Sequence, residues 1–121
     1  MRKKILVVED VELNRDLLVQ LLEDQYEVLT AADGEEGIRL ADRQRPDAIL
    51  MDLSLPGLDG WAAARRIKAN PALRHIPIIA LSAHAMMGDE EKARQSGCDD
   101  YLSKPLDEDL LFDKLGKLLG A

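Results

Sequence analysis

Short unbroken apolar runs alternate along the chain with longer stretches in which apolar residues recur every three or four positions. Ile5-Leu6-Val7-Val8 is the first run. Its lack of alternation predicts a strand buried on both faces. Leu13, Leu17, Leu18, Leu21 and Leu22 come next at helical spacing and predict a helix with an apolar face. Tyr26 to Ala31 reads as a second strand, partly alternating and therefore more exposed. Asp33 followed by Glu36 fits a capping box for a helix running to about Gln44, and Pro46 discourages its continuation. Ala48-Ile49-Leu50-Met51 is a third strand. Pro56, Gly57 and Gly60 form a loop, with Asp59 or a neighbour capping a helix through about Ala69. Ile76 to Leu81 is a fourth strand, with Pro77 tolerable near its start. Asp89, Glu90 and Glu91 suit the first turn of a further helix, and Gly97 suits its C-terminal end. Tyr101-Leu102 sits in a short fifth strand, and Asp107 caps the last helix, with Leu106 and Leu111 placed as a hydrophobic staple.

Strands alternating with helices imply βαβ units and a parallel sheet with right-handed crossovers. At 121 residues and 46% hydrophobic content the chain is sized for one globular domain with its own core, and residues 1–121 read as that single domain. The net charge of -7 argues against sequence-independent binding to nucleic acid or to an anionic membrane, both of which need a cationic face. One cysteine, Cys98, leaves no internal disulfide, as suits a reducing compartment. The basic start Arg2-Lys3-Lys4 is followed by only four apolar residues before Glu9 and Asp10, which is no secretory signal. No apolar stretch approaches the ~20 residues of a membrane span. A cytoplasmic protein without membrane insertion is the expectation.

The chemistry lies in the residues just past each strand. In a parallel sheet all strand C-termini share one edge, where open α/β sheets bind their ligands. The first strand leads into Glu9 and Asp10, the third into Asp52, the fourth into Ser82, and the fifth, after Ser103, into Lys104. Taken singly, an acidic residue after a strand is a turn former or a helix cap, a serine is a cap, and a lysine is solvated. Together they bring three carboxylates, a hydroxyl and an ammonium to one rim. Clustered carboxylates repel and raise one another's pKa, and a hard divalent cation relieves this. Oxygen-only ligands favour Mg²⁺, with Mn²⁺ as the substitute, over zinc. Asp52 is then placed as a nucleophile that forms an aspartyl phosphate. Lys104 supplies a positive charge to a phosphoryl oxygen, and Ser82 a hydrogen bond to another.

The stretches Ile5 to Asp10, Leu50 to Gly60, Ala80-Leu81-Ser82-Ala83 and Tyr101 to Pro105 resemble the receiver domain of two-component response regulators. The likeness spans essentially the whole chain. It implies a flavodoxin-like doubly wound α/β fold with five parallel strands in order 2-1-3-4-5 and five helices. That order puts the switch point between the first and third strands, with Asp10 and Asp52 facing each other across it. The resemblance further implies that Asp52 is the phosphoacceptor, charged by a sensor histidine kinase or a histidine phosphotransfer protein. Glu9 and Asp10 would form the metal pocket, with Asp10 the direct ligand and the Ser54 backbone carbonyl completing the protein's share. Ser82 and Tyr101 would be the switch pair, reshaping the face of the fourth helix, fifth strand and fifth helix when Asp52 is phosphorylated. Such a chain catalyses only its own phosphorylation and dephosphorylation.

The stretch from His75 to Pro105 is most similar to single-domain regulators of the DivK type, and it also resembles receivers attached to hybrid kinases. With the chain ending at Ala121, no output domain is expected. That leaves a downstream protein partner, and a monomer or weak dimer, as the expectation. Val11 and His84 depart from the common pattern, and His84 suits either a solvent-exposed loop or contact with an attacking water. Met86 and Met87 suit either a partner surface or core packing. Trp61 should cover apolar surface at the start of the third helix, and Cys98 should pack beside the fifth strand. Lys104-Pro105 is a candidate cis bond. The competing reading is a Mg²⁺-dependent phosphohydrolase with an aspartyl nucleophile, although Ser54 stands where such enzymes carry a second aspartate. A flavodoxin-like cofactor binder would lack a phosphate loop here, and an adaptor with this fold would not need the acceptor set.

Overall fold

The computed structural model describes residues 2–53, 55, 57–82, 91 and 94–119. Its sheet is built from β1 (Lys4–Val8), β2 (Glu27–Ala31), β3 (Ala48–Asp52), β4 (Ile78–Ser82) and β5 (Asp100–Ser103). All four strand pairings are parallel, and the order is β2-β1-β3-β4-β5. The order reverses at β1, whose neighbours are β2 and β3.

Side chains of a strand alternate between the two faces, and here both faces are covered. Leu6, Val8, Ile49, Met51, Ile78 and Ala80 share one apolar cluster with Ala41, Ala63, Ala64 and Ile67, which belong to α2 (Gly34–Gln44) and α3 (Gly60–Ala69). Ile5, Val7, Leu50, Ile79 and Leu81 share the other with Leu18, Leu22, Leu111 and Leu115, on α1 (Glu12–Leu22) and α4 (Glu108–Leu119). The unbroken apolar runs of β1, β3 and β4 are therefore the signature of a two-sided core. Each fully buried Leu or Ile contributes about 1.5–3 kcal/mol. Edge strand β2 carries the mixed pattern, with Glu27 and Thr30 exposed.

The helix starts match their caps. Asp33 accepts from the Glu36 N–H at 2.8 Å, while Glu36 Oε1 reaches back to the Ala32 N–H. Asp59 accepts from the Ala62 N–H at 2.9 Å, and Asp107 from the Leu110 N–H at 3.1 Å. Three expectations change. Leu13 and Leu17 lie exposed, because α1 buries the neighbouring stripe of Leu18 and Leu22 instead. Strand β4 begins at Ile78 rather than Ile76, since Pro77 has no N–H to give the ladder. Four helices are described rather than five. The expected helix between β4 and β5 falls mostly outside the described residues; of those described, Glu91, Arg94 and Gln95 are helical. At its far end Gly97 adopts a positive φ of 91°, the left-handed conformation expected of a helix-terminating glycine.

Candidate functional site

The C-terminal ends of β1, β3, β4 and β5 converge as the parallel order requires. Backbone bonds carry the sheet just past its strands: the Glu9 N–H donates to Ala31, the Leu53 N–H to Leu81 and the Lys104 N–H to Ser82. Each polar residue is thereby delivered from a rigid strand end. Asp52 is the last residue of β3 and Ser82 the last of β4. Both are buried, as is Glu9, whereas Asp10 is exposed.

Lys104 joins the cluster across 95 residues of sequence. Its Nζ donates to Glu9 Oε1 at 3.1 Å and to Asp52 Oδ2 at 3.2 Å. The next peptide bond, Lys104–Pro105, is cis. Carboxylate oxygens of Glu9, Asp10 and Asp52 all lie within 4.8 Å of one another. Glu9 Oε2 is buried without a hydrogen-bond partner among the described residues. Burial pushes the Glu9 carboxyl up to about 7; the Asp52 carboxylate adds to the rise, while Asn14 and Lys104 oppose it. For Lys104, burial acts to lower the pKa, but the attraction of Asp52 and Glu9 outweighs it and the value is raised. One ammonium thus faces a group of three carboxylates, and it stays protonated.

A hard cation fits this donor set. The ligand atoms are all oxygens, they converge from two strands, and one buried oxygen lacks a partner among the described residues. Those features suit Mg²⁺ or Mn²⁺, which take few protein carboxylates and keep several waters.

Beside the site, α1 and the start of α4 enclose a cleft of about 370 Å³, with Glu9, Asn14 and Lys104 at its polar end and Leu17, Leu18, Leu21 and Leu106 among its apolar walls. Val11, the N-cap of this helix, and Leu13 and Leu17 within it are exposed.

Of the residues singled out from the sequence, Glu9, Asp10, Asp52, Ser82 and Lys104 stand at this rim. Tyr101 is half-buried in β5, packed against the α2–α3 cluster. Trp61 is half-buried against the same cluster, and Cys98 is buried just before β5, its thiol pushed up to about 11 by burial. Ser54, His84, Met86 and Met87 lie outside the described residues. Asn14 and Arg15 join the site although no motif in the sequence marks them. Asn14 borders the Glu9 carboxylate, and the Arg15 guanidinium donates to the Glu9 backbone carbonyl at 2.9 Å. Their only sequence signal is their place in the first turns of α1, directly behind the acidic pair. In the sequence Gly60 reads only as a loop former. A Cβ on it would come within 2.1 Å of the Asp52 carbonyl oxygen.

The response regulator receiver domain pattern matches residues 5–116. The polar-differentiation response regulator DivK of Brucella anthropi is 43% identical over 121 residues, covering 99% of this chain and 98% of DivK. The response regulator PleD of Caulobacter vibrioides is 41% identical over 119 residues, which cover 98% of this chain and 26% of PleD. Among solved structures, the receiver domain of the sensor histidine kinase PA1611 from Pseudomonas aeruginosa, crystallised with a magnesium ion in its active-site cleft, superposes with a TM-score of 0.92 at 43% identity, over 100% of both chains. The chemotaxis response regulator CheY4 of Vibrio cholerae superposes with a TM-score of 0.90 at 28% identity, over 98% of this chain and 100% of CheY4.

Proposed function

Because this chain belongs to the response regulator receiver domain family, we propose that it is a phosphorylation-activated switch in which Asp52 accepts a phosphoryl group. The observation that carries this reading is the Lys104 ammonium held at 3.1 Å from Glu9 and 3.2 Å from Asp52. A cation fixed beside a buried carboxylate is positioned for a phosphoryl oxygen on that carboxylate. Asp10 and Asp52 would hold Mg²⁺, Glu9 would support them from the buried side, and the Ser54 backbone carbonyl would complete the set. The ion supplies charge stabilisation for phosphoryl transfer. Ser82 donates to a second phosphoryl oxygen, and Tyr101 moves inward after Ser82. That movement remodels the surface made by β5, α4 and the expected helix before β5, which a downstream protein reads.

The donor is a histidine kinase or a histidine phosphotransfer protein, met in the cytoplasm. It must bring a phosphohistidine to Asp52, so its footprint spreads around the rim. The exposed apolar residues Val11, Leu13 and Leu17 and the adjoining cleft offer contact area beside the acceptor, as protein-binding patches do. The chain's own chemistry is confined to gaining and losing this phosphoryl group.

The test is incubation with Mg²⁺ and acetyl phosphate, then intact-mass measurement. A single phosphoryl adduct in the native chain, missing from Asp52→Asn, is the expected result. An adduct that survives in Asp52→Asn, or continuous consumption of donor without an adduct, would overturn the reading in favour of another acceptor or a phosphohydrolase.

A further inference from the structure

We propose that Arg15 is a positioning residue for the metal pocket, fixing the Glu9–Asp10 segment by gripping the Glu9 backbone carbonyl; this rests on the receiver reading above. Glu9 is the first residue beyond β1. Its N–H still belongs to the sheet, bonded to Ala31 at 3.0 Å. Its carbonyl has passed the end of the β1–β2 register, which stops at Val8↔Ala31. A backbone acceptor at such a place needs a partner, and the Arg15 guanidinium supplies it at 2.9 Å.

Holding that oxygen does more than satisfy it. The peptide unit between Glu9 and Asp10 is planar, so an anchored Glu9 carbonyl also sets the direction in which Asp10 leaves the sheet. Asp10 is exposed and has no burial to hold it. The entry to α1 gives little help. Its N-cap is Val11, which makes no side-chain capping bond. Arg15 is itself tied to that entry, its N–H bonded to the Val11 carbonyl at 2.9 Å. The preceding residue, Asn14, borders the Glu9 carboxylate. Consecutive residues of α1 therefore constrain both the backbone and the side chain of Glu9, and through them the spacing of the carboxylates.

The sign of the effect separates positioning from simple charge. Removing the Arg15 cation leaves the pocket more negative, which by Coulomb's law alone would tighten a divalent cation. Loss of positioning weakens it. Supporting residues behind metal ligands contribute roughly 10–100-fold in affinity.

Mg²⁺ affinity measured calorimetrically on the full chain, without any phosphodonor, reads this directly. Arg15→Met keeps the apolar stem and loses the donor, and should weaken Mg²⁺ about 10-fold or more. Arg15→Lys, which keeps a cationic donor on a flexible stem, should stay within a few-fold of the native chain. Arg65→Met removes an exposed arginine of α3 away from the pocket and should change nothing. Should Arg15→Met not fold, Arg15→Gln carries the same expectation. Native-like or tighter Mg²⁺ binding by the donor-less variant overturns the role of Arg15 and leaves the receiver reading standing. Absence of Mg²⁺ binding in the native chain overturns both.

Discussion

A Cβ on Gly60 would sit 2.1 Å from the backbone carbonyl oxygen of Asp52 and 2.7 Å from the Cα of Leu53. Both contacts are to backbone at the end of β3, which cannot swing aside as a flexible side chain could. The first turn of α3 is thus seated directly on the strand end that presents the acceptor. Gly60→Ala should push the two apart and cost about 3 kcal/mol or more, seen as a lowered urea midpoint, with a slower reaction toward acetyl phosphate. Gly116 in α4 is the control. A Cβ there meets nothing within 4 Å, so Gly116→Ala should be neutral or stabilise by up to ~1 kcal/mol through helix propensity.

Much of this architecture is legible in the sequence, for identifiable reasons. Ile5 to Val8 and Ala48 to Met51 read as strands because a two-sided core leaves no polar gaps. Asp33, Asp59 and Asp107 read as caps because capping is local, and all three make the bond. The rim residues were legible because parallel strands must end on one edge. Periodicity failed at Leu13 and Leu17. They form a stripe one position away from Leu18 and Leu22, and a rotation of about 100° decides which stripe faces the sheet. Gly60, Arg15 and Lys68 were illegible as site or scaffold residues, since the atoms they meet come from other elements and only the assembled fold brings them together.

The Glu9 carboxyl, raised by burial to about 7, makes the metal-free protein sensitive to pH. Between the ordinary value of 4.5 and about 7 the folded state binds more protons than the unfolded chain. Stability should therefore rise as pH falls from about 7 toward 4.5 and decline as pH rises. Glu9→Gln cannot titrate, so the difference in thermal midpoint between it and the native chain, both in EDTA, should shift in the variant's favour as pH rises through that window. Metal binding needs the ionised form, so native Mg²⁺ affinity should climb over the same range.

Lys104 holds its ammonium against two buried carboxylates, at 3.1 and 3.2 Å. Removing one side of such a pair leaves uncompensated charge, which costs roughly 3–5 kcal/mol in buried settings. Lys104→Met should fall near the lower end in EDTA at about pH 8, because its side chain is 22% exposed. The loss should shrink at about pH 5, where Glu9 takes up a proton, and shrink again when Mg²⁺ is added at the higher pH. Chemical denaturation under these three conditions tests the ordering. An unchanged loss in all three would mean that the lysine acts through packing rather than charge. Adduct formation with acetyl phosphate should drop sharply whatever the stability, since the partner for the phosphoryl oxygen is gone.

A second lysine cluster separates scaffold from chemistry. Lys68 Nζ, on α3, donates to the Arg74 carbonyl at 3.1 Å, to the Ile76 carbonyl at 2.7 Å and to Asp99 Oδ2 at 2.9 Å. The same Asp99 oxygen accepts from the Ile78 N–H at 2.8 Å. One ammonium therefore ties the end of α3, the approach to β4 and the turn into β5. Gly97 permits this, because a Cβ there would come within 2.8 Å of the Lys68 stem. The cluster sits at the strand starts of β4 and β5, a full strand length from the rim that carries Ser82 and Lys104. Lys68→Met takes the donor away from two backbone carbonyls and from Asp99, which keeps the Ile78 N–H, at a cost of about 1–3 kcal/mol. It should lower the urea midpoint accordingly and leave Mg²⁺ affinity unchanged. Lys68→Met with both stability and Mg²⁺ affinity reduced would instead mean that strain at the strand starts is transmitted along β4 to the acceptor rim.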